Sequence, residues 1–104
     1  MKTYKITLSN LQISELAELL IDLKKENLLY CGLEEDEFKD FQNLLKKVVV
    51  ANFNCDNEKC DLKLSYSQIY ILLEIGFNYT IDEIQVIVED YIRKNFDSDP
   101  FFDL

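Results

Sequence analysis

The stretch LSYSQIYILLEIGFNYTIDEIQVIVEDYIRKNF, residues 64–96, decides the fold. Ser65 is followed three positions later by Gln68. That is the spacing of a capping box, in which the serine oxygen accepts from a free backbone N–H and the glutamine reaches back to the cap. Leu64, before the cap, and Ile69, in the first turn, have the spacing of a hydrophobic staple. Ile69, Leu72, Leu73 and Ile75 then recur at helical spacing. Gly76 reads as the helix stop, because glycine takes the left-handed cap conformation without a Cβ clash. Thr80 and Glu83 repeat the capping box, with Tyr79 and Ile84 as its staple. Ile84, Ile87, Val88, Tyr91 and Ile92 form the buried stripe of a last helix. Asp82, Glu83, Glu89 and Asp90 fall mostly outside that stripe.

The beginning of the chain uses the same grammar. Ser9 and Gln12 match Ser65 and Gln68, Leu8 and Ile13 match the staple, Leu16 matches Leu72 and Glu18 matches Glu74, all at an offset of 56 residues. An internal duplication would make a pseudo-repeat of residues 4–52 and 60–98. Convergence of two good helix starts is the slightly preferred explanation, since the match fades after Glu18.

Working outward, Tyr4, Ile6 and Leu8 alternate with Lys5 and Thr7 over residues 2–8, the pattern of a half-buried strand. Asn10 to about Tyr30 reads as one long helix with Leu16, Leu20 and Leu23 along a face, closed by Gly32. Glu34 to Asp40 holds five acids and one lysine and opens a second helix, where the helix dipole favours carboxylates. Phe38, Phe41, Leu45 and Val48 continue its apolar face. The β-branched run Val48-Val49-Val50 allows this end to turn into a strand instead. Asn52 to Asp61 is polar loop, and residues 61–64 read as a second strand able to pair with 2–8. The expected fold is mainly α, α+β at the margin: four helices in two helix-pair halves with up to two short strands, in a single compact domain over residues 1–104.

Charge narrows the function classes. The net charge is −9, carried as −2 on residues 1–52 and −7 on residues 53–104. Binding nucleic acid through its phosphates requires a basic footprint, so direct nucleic-acid binding and an anionic membrane surface are disfavoured. A basic protein partner is favoured, because complementary charge raises the encounter rate. No apolar run approaches a membrane span, and Met1 to Leu8 has no apolar signal core, so a cytoplasmic protein is expected. One arginine against ten lysines, with abundant isoleucine, asparagine, tyrosine and phenylalanine, suggests an AT-rich source such as a low-GC bacterium or its phage.

Catalytic constellations are missing. The chain has no histidine, and two glycines cannot build a phosphate loop. No enzyme activity, cofactor or metal is expected. Cys31, Cys55 and Cys60 are odd in number, which favours reduced thiols. Zinc would lack ligands, and an EF-hand-like loop through Asn54, Asp56 and Glu58 has Lys59 where glycine is needed. A helix-turn-helix centred on Gly76 would place four acids on its recognition helix, against the phosphates it must approach. Ile75-Gly76-Phe77 resembles the Met-Gly-Phe loop of ubiquitin-associated domains with its first residue changed, and no function is carried over from it.

These features point to a non-enzymatic acidic protein that inhibits or regulates a basic, nucleic-acid-handling partner. In size, acidity, codon-biased composition and lack of catalytic groups it resembles anti-CRISPR and DNA-mimic proteins of phages and mobile elements, a likeness of class. That likeness implies host cytoplasm as its place of action. The partner-binding residues expected are Glu34, Glu35, Asp36, Glu37, Asp82, Glu89 and Asp90, with Phe101 and Phe102 as aromatic anchors in an acidic tail. The alternatives are a self-associating module (a homodimer) that uses Tyr66, Tyr70, Phe77, Phe101 and Phe102, an antitoxin or immunity protein, and a helix-turn-helix regulator.

Overall fold

The structure, a computed structural model, describes residues 2–79 and 82–96. The fold is mainly α with a small β part. Strand β1 (Tyr4–Ser9) leads into α1 (Asn10–Asp22) and α2 (Lys25–Tyr30); a short 3-10 turn (Glu35–Glu37) opens α3 (Phe38–Asn54); β2 (Lys59–Leu64) leads into α4 (Tyr66–Tyr79), and α5 (Asp82–Phe96) follows.

The two strands form an antiparallel ladder with Tyr4 opposite Leu64, Ile6 opposite Leu62 and Leu8 opposite Cys60. Ile6, Leu8, Leu62 and Leu64 are buried, while Lys5, Thr7, Asp61 and Lys63 face outward, as the period of two requires. Positions related by the 56-residue offset sit symmetrically in this register, since Ile6 pairs with Leu62.

Both N-terminal boxes form. Gln12 N–H donates to Ser9 Oγ at 3.1 Å and Ser9 N–H to Gln12 Oε1 at 2.9 Å. Gln68 N–H donates to Ser65 Oγ at 3.2 Å and Ser65 N–H to Gln68 Oε1 at 2.9 Å. The staple residues Leu8, Ile13, Leu64 and Ile69 are all buried. The box expected at Thr80 lies outside the described residues.

The single long helix expected over residues 10–30 is two helices. Leu23 and Lys24 are extended, and the Lys24 N–H donates to Asn27 Oδ1 at 2.8 Å, which starts α2 afresh. A continuous helix would carry Lys24 onto the stripe of Ile13, Leu16, Ala17 and Leu20; the break keeps its ammonium in water and lets Leu28 reach the core. Gly32 does close α2. Its φ is +88°, its N–H donates to the Leu29 carbonyl at 3.0 Å, and the Leu33 N–H donates to the Leu28 carbonyl at 3.0 Å. This is a Schellman ending, and its apolar pair, Leu28 and Leu33, is buried.

In α3 the buried stripe is Phe41, Leu44 and Val48, with Phe38 and Leu45 half-buried, so Leu44 takes the place expected for Leu45. The valine run stays helical to Asn54, because Val48 continues that stripe. The largest correction concerns Gly76. It is not a stop but an interior residue of α4, buried against α5, where an added Cβ would meet Gln85 Cβ at 3.6 Å. Helix α4 is buried on most sides through Ile69, Ile71, Leu72, Leu73 and Ile75, the pattern of a central helix. It packs on α5, α3 and β2, while α1 packs on α3. Ile84, Val88 and Ile92 are buried along α5, with Ile87 and Tyr91 packed beside them.

Candidate functional site

The acids expected to open the second helix are gathered by the turn before α3. Buried Leu33 on one side and Phe41 on the other pin the chain, so the intervening polar residues project outward. The Glu34 N–H donates to Glu37 Oε1 at 3.1 Å, and the Glu37 N–H donates to the Glu34 carbonyl at 2.9 Å, which tightens the turn. As a result, carboxylate oxygens of Glu34, Asp36 and Glu37 lie within 4.8 Å of one another. Among the described residues this is the group that could hold a metal ion, and its hard oxygen donors equally suit a lysine or arginine head group. Glu35 points to Lys25 Nζ at 3.6 Å and is partly compensated.

Glu74, on α4, joins this corner. It is exposed at the rim, and its carboxyl pKa is raised from its ordinary value, first by partial desolvation and then by the charge of Glu37. A cleft of about 420 Å³ lies between them, lined by Cys31, Gly32, Leu33, Glu37, Tyr70, Ile71 and Glu74. The Cys31 thiol is buried and free; burial raises its pKa, the Tyr79 hydroxyl acts against the shift and Glu74 adds to it. Such a thiol is held protonated, the opposite of an activated nucleophile. Glu74 was missing from the expected set. Its only signal in sequence was its place on a strongly apolar helix, one polar position among Leu72, Leu73 and Ile75.

The α5 acids are engaged differently. Lys94 Nζ lies 2.9 Å from Asp90 Oδ2, one helical turn away. Glu89 Oε1 accepts from Gln85 Nε2 at 3.0 Å, and Glu83 Oε2 accepts from Gln12 Nε2 at 3.3 Å. Asp90 is thus paired with a cation and Glu83 and Glu89 are held by glutamine amides along α5 or against α1, whereas Glu34, Asp36, Glu37 and Glu74 share one corner. Asp82 opens α5, but its side chain, like Phe101 and Phe102, lies outside the described residues.

One further expectation changes. Cys55 and Cys60 are joined in a disulfide that closes the loop between α3 and β2 and takes both sulfurs out of any ligand set. The antiparallel return of β2 beside the end of α3 brings the two Cα atoms to 6.1 Å, a proximity that the odd cysteine count could not reveal. Tyr66 and Tyr70, named for a dimer face, pack on each other with ring centroids 4.7 Å apart while Tyr66 stays exposed, and Phe96 stacks edge-on to both Tyr66 and Tyr4 at 5.1 and 4.8 Å. Those rings brace α5 against the strand and α4. No helix among the described residues is long and apolar enough to cross a membrane. No protein-family model, curated protein or solved structure matches this chain.

Proposed function

We propose that this protein is a non-enzymatic acidic binder that blocks a basic, nucleic-acid-handling protein, with its contact centred on Glu34, Asp36, Glu37 and Glu74. The observation that carries the reading is the convergence of three carboxylates within 4.8 Å, with a fourth close enough to feel the charge of Glu37. Duplex DNA presents one charge per roughly 1.7 Å of axis, so a channel built for phosphates meets a comparable charge density at this corner. Arginine forks and lysines of the partner would exchange phosphate for carboxylate, and the body of the domain would exclude the nucleic acid sterically. Glu89 and Asp90 would act at the rim, because Gln85 and Lys94 already hold them.

The test is affinity capture with the intact chain from a low-GC bacterial lysate, at low and moderate salt, beside an E34Q/D36N/E37Q variant and a D82A/E89A/D90A variant. One basic nucleic-acid-handling protein should be held at low salt, be released at moderate salt and be lost with the first variant. Capture that survives the first variant unchanged, or that ignores salt, sinks the electrostatic reading. Capture lost only with the second variant would move the contact to α5.

A further inference from the structure

We propose that the outer edge of β2, together with the exposed side of α3, is a docking groove for an extended acidic peptide that adds a third strand to the sheet. The groove has a volume of about 490 Å³ and is lined by Lys46, Lys47, Val50, Ala51 and Asn54 of α3 and by Asp61, Leu62 and Lys63 of β2. It lies well along α3 from the acidic corner and has the opposite sign, so it is a surface distinct from the one proposed above.

The ladder register shows which backbone groups are available. The Asn10 N–H donates to the Glu58 carbonyl at 2.9 Å, which sets the phase of the ladder: the alternate pairs Leu8–Cys60, Ile6–Leu62 and Tyr4–Leu64 are its hydrogen-bonded pairs. Lys59, Asp61 and Lys63 therefore aim their N–H and C=O groups away from β1. Among the described residues no strand pairs with that edge. The Lys63 carbonyl is instead met by the Lys47 ammonium at 2.8 Å, which also donates to Gln68 Oε1 at 2.9 Å. An incoming backbone N–H can replace the ammonium on that carbonyl, and Lys47 keeps its glutamine partner.

Charge and shape choose the occupant. Outward side chains of an added strand would neighbour Lys59 and Lys63, with Lys46 at the rim. Asp61, the acid in this lining, is already taken by the Thr7 hydroxyl at 2.6 Å and by Lys5 at 4.0 Å. Inward side chains would rest on exposed Val50 and half-buried Ala51. A strand alternating acidic and apolar residues satisfies both faces. A second copy of this edge does not: antiparallel pairing centred on Asp61 opposes aspartate to aspartate and Lys59 to Lys63, and like charges directly opposite are destabilising.

The test uses the full chain and a labelled short peptide alternating glutamate with valine, read by fluorescence anisotropy and by amide chemical shifts. The glutamate peptide should bind and shift the Asp61 and Lys63 amides. A lysine–valine counterpart should not bind. A K46E/K63E variant should bind roughly tenfold more weakly or worse, and an N-methylated peptide of the same charge should lose binding to the unaltered protein. Equal binding of both peptide signs, full affinity of the N-methylated peptide, or shifts confined to other elements would overturn the proposal. A concentration-dependent dimer whose shifts map to β2 would assign the edge to a second copy instead.

Discussion

The chain makes the same move at two places, and the two outcomes differ. At β1–α1 and at β2–α4 a strand runs into a Ser-x-x-Gln box, a staple closes over it, and a fully buried leucine follows, Leu16 or Leu72. The hydrogen bonds inside the two boxes agree to within 0.1 Å. What surrounds them does not. Ser9 and Gln12 are half-buried, and Gln12 donates outward to Glu83. Ser65 and Gln68 are buried, and Gln68 accepts the Lys47 ammonium as well as the cap N–H. Each glutamine is thus touched by a long helix from the other part of the chain, α5 or α3. The local grammar sets the helix start. The surroundings set how much the start matters, because an unpaired polar group costs more where water cannot reach it.

The comparison can be broken most directly at its core positions. Leu16→Ala and Leu72→Ala should each destabilise by about 2–5 kcal/mol in urea unfolding, since both side chains are fully buried. A loss under about 1 kcal/mol at either site would show that the two starts do not share one core.

The boxes themselves should separate next. Ser65→Ala should cost about 1–2 kcal/mol and Ser9→Ala about 0.5–1 kcal/mol, within the range of cap deletions and ordered by burial. The reverse order would mean that burial does not govern their difference. A gain is expected where α4 carries Gly76 and α1, at the matching place, carries Leu20. Gly76→Ala should raise stability by about 0.5–1 kcal/mol, because the glycine is helical and an added Cβ meets Gln85 at ordinary contact distance. A loss on thermal melting would reveal that α5 packs more tightly there than a methyl group allows.

The smallest effect concerns Glu74 and its counterpart Glu18. The Glu74 carboxyl is raised in the folded chain, so the folded state holds its proton more tightly than the unfolded chain does. Its contribution to stability is therefore most favourable below the unfolded carboxyl range and falls as pH rises through the raised folded value. Glu74→Gln should flatten that fall and raise stability at neutral pH, while Glu18→Gln, the same charge change at the matching position of α1, is the control. Stability curves measured against pH for the two variants should diverge; identical curves would remove Glu37 and burial as causes.

Much of the fold was legible in particular residues. The serine–glutamine boxes and the Gly32 ending rest on contacts only a few residues apart, and the alternation of Ile6 and Leu8 is a period of two, so sequence carries all three. The Lys24 break was not legible: nothing nearby is glycine or proline, and the reason for it is the core that Lys24 must avoid. Gly76 misled because glycine stops a helix only when the chain beyond it needs a positive φ, and here α4 continues under the cover of α5. Of the acidic site, Glu34, Asp36 and Glu37 were found from their run in sequence, whereas Glu74 required the packing of α4 beside that turn.

Sequence by itself determined where helices begin, which faces are apolar and that the chain is acidic, because these depend on local hydrogen bonding, periodicity and composition. Tertiary structure alone decided the disulfide of Cys55 and Cys60, the gathering of Glu74 with Glu37, and the lysine-rimmed edge of β2. The last two join residues distant along the chain, and the disulfide, though its cysteines are five residues apart, depends on the return of β2 beside the end of α3. Their distances are set by how the helices and the ladder close on one core.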